Sequence, residues 1–181
     1  MIPRLPIIGV MGSHKQGWEG FSVPVGRLVA EMGCHLLTGA GGGVMTSVAR
    51  AFTAVKRRKG VCIGIFPLVE YEGGLPSAEK YPNPYVEVPV LTLLDKKAII
   101  DSTPYSRNHV NVMSSQAMII LPGDHGTQNE VSLALYYKKP IILFGAEGSF
   151  DKFPSAPSRA KDIADVRRFL ESIIQSLQKD S

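Results

Sequence analysis

The chain has 181 residues, of which 44% are hydrophobic and 20% charged, with a formal net charge of +4, 18 Gly, 13 Pro and two Cys. This balance fits a single domain over residues 1–181 with a core large enough to fold unaided, and it excludes disordered, fibrous and disulfide-stapled classes. No apolar run is long enough to span a bilayer, and the opening MIPRLPIIGVMG lacks the charged front and cleavage site of a signal peptide. A cytoplasmic protein without a membrane partner is therefore expected.

LPIIGVMG (5–12) is a short apolar run ending in glycine, the pattern of a buried strand. From 20 to 33, Phe21, Val25, Leu28, Val29 and Met32 recur at helical spacing until Gly33 stops them. CHLLTG (34–39) predicts a second strand. The AGGG that follows opens a second helix, with Val44, Met45, Val48, Phe52 and Val55 on one face. KRRK at 56–59, followed by Gly60, reads as cations complementing that helix's negative end with a glycine stop, the alternative being a polyanion-binding patch. GVCIGIF (60–66) is a third strand, and residues 67–85 form a long Pro- and Gly-rich segment of a kind that is usually functional or mobile.

VEVPV (86–90) is a fourth strand whose Pro89 favours a sheet edge. Residues 105–116 read as helix, 117–122 as a fifth strand, the stretch to 138 as helix, 139–145 as a sixth strand, and Ile163 to Leu177 as a last amphipathic helix. Short, wholly apolar strands alternating with helices imply a Rossmann-like doubly wound α/β fold. Its mainly parallel sheet of six or seven strands carries helices on both faces, and ligands bind at the carboxyl ends of the strands. Cys34 and Cys62 are expected to be buried free thiols.

Three strand-to-helix turns carry glycine: GVMGSH, TGAGGGVMTS and LPGDHGTQNE. Such turns aim backbone N–H groups at an anion, which the mild positive charge also favours, although it is too small to argue for nucleic acid. The candidate ligand residues are Gly12 and Ser13 in the first turn, Gly41, Gly42 and Gly43 in the second, and Gly123, Gly126 and Thr127 in the third. Plain turn chemistry is the competing explanation. The first turn lacks G-x-G-x-x-G and no P-loop motif occurs, which disfavours nicotinamide dinucleotides and P-loop nucleotide hydrolysis. His14, His109 and His125 fall in or beside these loops without metal-ligand spacing, so no metal is expected.

Residues 5–145 resemble the superfamily of LONELY GUY (LOG) phosphoribohydrolases and molybdenum-cofactor carrier proteins, long mislabelled as lysine decarboxylases. The most specific match is to the signature P-G-G-x-G-T-x-x-E, met by Pro122, Gly123, Gly126, Thr127 and Glu130. The resemblance implies a phosphate held by Gly126 and Thr127, with Glu130 binding ribose and assisting water. Arg107, at the Arg of an R-K motif, would offset charge developing during glycosidic cleavage. Arg107 is expected near the start of one helix and Glu130 in the first turn of the next, close enough to meet. The alternatives are a structural ion pair between the two, or a Glu130 that complements a helix dipole.

Two departures stand out. Asn108 replaces the Lys of R-K, and Asp124 replaces the second signature Gly. A carboxylate about 6 Å from a phosphate would repel it by about 3 kcal/mol at an effective dielectric near 20. The resulting expectation is a nucleotide-binding protein that hydrolyses a nucleoside 5′-monophosphate to free base and ribose 5-phosphate. The runner-up is a noncatalytic carrier of molybdenum cofactor, a phosphorylated pterin, and a nucleotide sensor with a conformational readout is a third reading. No cofactor is required; a nucleotide or molybdopterin would be the bound ligand. Lysine decarboxylation is not expected, because no Lys stands in a turn suited to pyridoxal phosphate. By resemblance the chain forms a homodimer or dimer-based assembly.

Overall fold

The computed structural model describes residues 4–67, 81–92, 94, 99–100 and 103–179. Five predicted strands form as expected: β1 (Ile7–Met11), β2 (His35–Thr38), β3 (Cys62–Pro67), β7 (Ala117–Ile120) and β8 (Ile141–Phe144). The sixth, β4 (Val88–Thr92), is an edge strand, where Pro89 leaves no interior ladder bond unmade. Three strands escaped the sequence reading. These are a small antiparallel pair, β5 (Ile99–Ile100) with β6 (Thr103–Pro104), and the edge strand β9 (Ser158–Ala160), whose Ser and Arg are exposed and carry no apolar signal. Among the described residues the helices are α1 (Glu19–Glu31), α2 (Val44–Thr53), α3 (Arg107–Ser114), α4 (His125–Tyr136) and α5 (Ile163–Lys179).

The main sheet runs β4-β3-β2-β1-β7-β8-β9 with every pair parallel. The chain builds outward from β1 to β4, then returns to β1's other side for β7 to β9. The topological switch point therefore lies between β1 and β7. Both faces are covered, which is why the central strands are apolar at nearly every position. Ile8 and Val10 of β1, with Ala117 and Ile119 of β7, face one core closed by Val25, Val29, Phe52 and Leu170 of α1, α2 and α5. Met11, Met118 and Ile120 point the other way, toward Val112 of α3 and Val131 and Ala134 of α4. Truncating Ile8, Met118, Ile119, Ile120 or Leu170 to Ala costs about 2–5 kcal/mol.

Gly33 ends α1 in the left-handed conformation (φ 73°), as the sequence suggested. The basic cluster is placed differently from expectation: α2 stops at Thr53, ahead of KRRK, and Gly60 is not its cap. A Cβ on Gly60 would lie 1.8 Å from the Cys34 carbonyl oxygen, so this glycine allows the chain to enter β3 against β2. Arg58 leaves the cluster to pair with Glu87 and cover the Phe52 ring at 5.3 Å. Cys34 and Cys62 are buried and free, and burial pushes their thiols up to about 11 and about 12. Residues 68–80 of the long Pro- and Gly-rich segment lie outside the described residues.

Candidate functional site

Ser13, just past β1, ties three loops together at the switch point. Its N–H donates to the Pro122 carbonyl (2.9 Å), and its own carbonyl accepts from Val44 N–H at the start of α2 (2.8 Å). Its hydroxyl accepts from the N–H groups of Lys15 (3.2 Å) and Gln16 (3.1 Å). Two glycines make the convergence possible. A Cβ on Gly43 (φ 59°) would sit 2.3 Å from the Ser13 carbonyl oxygen, and one on Gly123 would sit 2.2 Å from Thr127 Oγ1 and 2.9 Å from Ser13 N. Beside them Ala40 holds φ 60°, a conformation that costs a residue with a side chain about 1 kcal/mol. Thr38 Oγ1 and the Asn83 N–H, bonded to its backbone at 3.1 and 2.8 Å, keep it there.

The candidate residues thus separate into two groups. Gly12, Ser13, Gly126, Thr127, Arg107 and Glu130 line one crevice at the carboxyl ends of β1 and β7, and Gly123 lines its continuation. Gly41, Gly42 and Gly43 do not line it. They pack against the Ser13–His14 backbone and His14 ring, and the first amide of α2 is already bonded to Ser13.

The start of α4 is arranged differently. Asp124 is its N-cap in extended conformation, yet its carboxylate makes no capping bond, and the first intrahelical bond runs from Gln128 N–H to the Asp124 carbonyl at 3.0 Å. The amides of His125, Gly126 and Thr127 have no acceptor among the described residues. A Cβ on Gly126 would meet nothing within 4 Å, so this side of the helix start is open. Uncapped amides carry the positive end of the helix dipole, where an anion is favoured. Asp124 is exposed at the mouth, so its repulsion of an anion acts through solvent. At about 6 Å in water that repulsion falls to about 0.7 kcal/mol.

Glu130 lies in the second turn of α4, not the first, so it does not complement the helix dipole. It is only 8% exposed. Burial pushes its carboxyl up to about 7, opposed by a hydrogen bond from Asn111 and by the charge of Arg107. Asn111 Nδ2 donates to Glu130 Oε1 at 3.1 Å, while its Oδ1 is buried without a partner among the described residues. Asn111, 1% exposed, also lines the crevice. The sequence reading passed over it, although its place four residues after Arg107 puts both on one face of α3.

Arg107 begins α3 and makes no ion pair with Glu130 among the described residues, which corrects that alternative. Its guanidinium donates to the Gly39 carbonyl at 3.2 Å and lies 5.3 Å from the centre of the Tyr81 ring. Asn108, in place of the expected Lys, bridges α3 to α4 through Asn129 Oδ1 at 3.0 Å. Of the histidines, His14 lines the crevice and His125 begins α4. His109 accepts the Ser106 N–H at the start of α3 (3.1 Å), and His35 accepts Val61 N–H (3.0 Å). No group of three or more His, Cys, Asp or Glu suited to a metal occurs among the described residues.

Fold and site together define a Rossmann-like α/β protein whose switch point opens into a polar crevice between an uncapped helix start and a buried carboxyl. The chain belongs to the SLOG cluster4 family, whose model matches residues 5–170, and the resemblance drawn from the signature is borne out. An uncharacterized protein of Archaeoglobus fulgidus is 28% identical over 151 residues, 78% of this chain and 86% of that protein. The structure is similar to that of the molybdenum cofactor binding protein from Rippkaea orientalis. The two share 29% identity with a TM-score of 0.69, over 94% of this chain and 98% of that one. It is also similar to the molybdenum cofactor carrier protein of Chlamydomonas reinhardtii, at 26% identity and a TM-score of 0.68, over 95% and 99% of the two chains.

Proposed function

We propose that this protein, folded as one domain, binds a phosphorylated small molecule with the phosphate over the start of α4, and serves as a carrier of a phosphorylated pterin such as molybdenum cofactor. The observation that carries this reading is the set of unpartnered amides of His125, Gly126 and Thr127, opened by the bare Gly126. A second, independent feature supports it. The buried Asn111 Oδ1 has no partner among the described residues in the same crevice, where an unmet acceptor costs about 1–3 kcal/mol until a ligand donor meets it. Gly12, Ser13 and Gly123 shape the wall, and Arg107 supplies a cation facing the phosphate. The two carrier and binding proteins named above share the architecture over nearly their whole length.

Hydrolysis of a nucleoside 5′-monophosphate is the second reading, favoured by Glu130, a buried carboxyl held up to about 7 beside a cation. Such a group can exchange a proton near neutral pH during glycosidic cleavage. Calorimetry with a phosphorylated pterin and a panel of 5′-monophosphates, with assays for free base and ribose 5-phosphate, separates the two. Pterin binding without release of base supports the carrier. Release that disappears in Glu130→Gln while binding persists supports the hydrolase, and no binding of either class refutes both. We further propose a cytoplasmic protein that assembles as a dimer; a monomeric mass at micromolar concentration would refute the assembly.

A further inference from the structure

The crevice is unevenly divided. The compartment bounded by Arg107, Thr127 and Glu130 holds about 120 Å³, whereas small-molecule sites usually begin near ~300 Å³. Beyond Asp124, two further compartments of about 420 and about 670 Å³ run toward the β8–β9 connection. Asp124 borders all three. Ser13 is shared by the first and second, and Lys15, Gly123 and Ser149 by the second and third. A ligand anchored at the start of α4 outgrows the inner compartment and must continue past Asp124.

The outer space has its own chemistry. Lys15, from the β1–α1 loop, and Lys152, from the β8–β9 connection, both line it, both are exposed, and neither makes an ion pair among the described residues. Trp18 lines the second compartment and Phe153 the third, where the Asp151 carboxylate stands beside the two lysines. Between these lysines and Arg107 stands the uncapped Asp124 carboxylate, which repels phosphate and accepts hydrogen bonds from hydroxyls.

We propose that the crevice takes a ligand with two anionic groups separated by a neutral, hydroxyl-bearing ring, of the 5′-phosphorylated dinucleotide class. The inner phosphate sits at the α4 amides and Arg107, the 2′-hydroxyl of the intervening ribose faces Asp124, and the outer phosphate lies between Lys15 and Lys152. The inference rests on the phosphate-binding reading above and assigns a role to residues 148–153, which lie beyond the signature and its neighbouring motifs.

The test is calorimetry on the full chain with 5′-monophosphates of the four common bases and the matching 5′-phosphorylated dinucleotides. The best dinucleotide is expected to bind at least about tenfold more tightly than the best monophosphate, and in Lys15→Ala/Lys152→Ala that ratio falls to about twofold or less. Far-ultraviolet circular dichroism verifies that the variant is folded; charge reversal at Lys152 alone is the second variant, with the same expected direction. Equal affinities in the wild type, or a ratio that survives both variants, overturn the two-anion ligand while leaving the phosphate site standing. Absence of binding by either class overturns this inference, and the phosphate site falls with it if the phosphorylated pterin also fails to bind.

Discussion

Glu130→Gln removes a buried carboxyl but keeps an oxygen that can accept the Asn111 Nδ2 hydrogen bond, now 3.1 Å long. Burial raises this carboxyl from 4.5 to about 7, which corresponds to about 3 kcal/mol between its two protonation states. The sign follows from linkage. The folded protein holds the proton more tightly than the unfolded chain, so stability is full below about 4.5 and is lost as pH rises through about 7. Gln has no proton to lose. At pH 8.5 the variant should therefore be more stable than the wild type by up to about 3 kcal/mol, a rise in melting temperature of roughly 6 °C or more for a chain of this size. At pH 4.5 the advantage should vanish. Thermal unfolding of both proteins across this range isolates the effect, because every other titrating group is common to both. A melting-temperature difference that stays constant with pH would refute the raised Glu130 carboxyl.

Four further outcomes follow from the structure. Gly123→Ala, whose Cβ would lie 2.2 Å from Thr127 Oγ1, should destabilise by about 1–3 kcal/mol. Gly126→Ala, with nothing within 4 Å of its Cβ, should unfold at or above the wild-type temperature but bind monophosphate more weakly; melting and calorimetry on the pair check both. Asp124→Asn should tighten monophosphate binding about threefold at low salt, the worth of about 0.7 kcal/mol, and an unchanged affinity would place the carboxylate away from the ligand. Cys34 and Cys62, raised by burial to about 11 and about 12, should resist iodoacetamide at pH 8 until the protein is unfolded, as mass spectrometry of native and denatured samples would show.

Local pattern carried much of the architecture. β1, β2, β3, β7 and β8 were legible because strands buried on both faces must be apolar throughout, and Pro89 marked an edge because it cannot donate to a ladder. β9 was not legible. Its Ser158 and Arg159 are exposed, and it is a strand only because β8 offers a free edge. The same limit applied to the glycines. Gly41–Gly43 and Gly126 look alike along the chain, yet the first group accommodates the Ser13–His14 backbone and Gly126 faces open space.

The order of residues by itself determined the doubly wound class, the edge at which the loops meet, and the signature that brings Gly123, Gly126, Thr127 and Glu130 to one turn and helix. These depend on periodicity and short-range turn chemistry, which neighbours in sequence fully specify. Tertiary structure alone decided that Glu130 is buried against Asn111, that Arg107 turns to Gly39 and Tyr81, and that Asp124 stands between a small inner space and a larger outer one. Burial, charge and free volume at a site are set by chain segments far apart in sequence, and they take a value only once the sheet has brought those segments together.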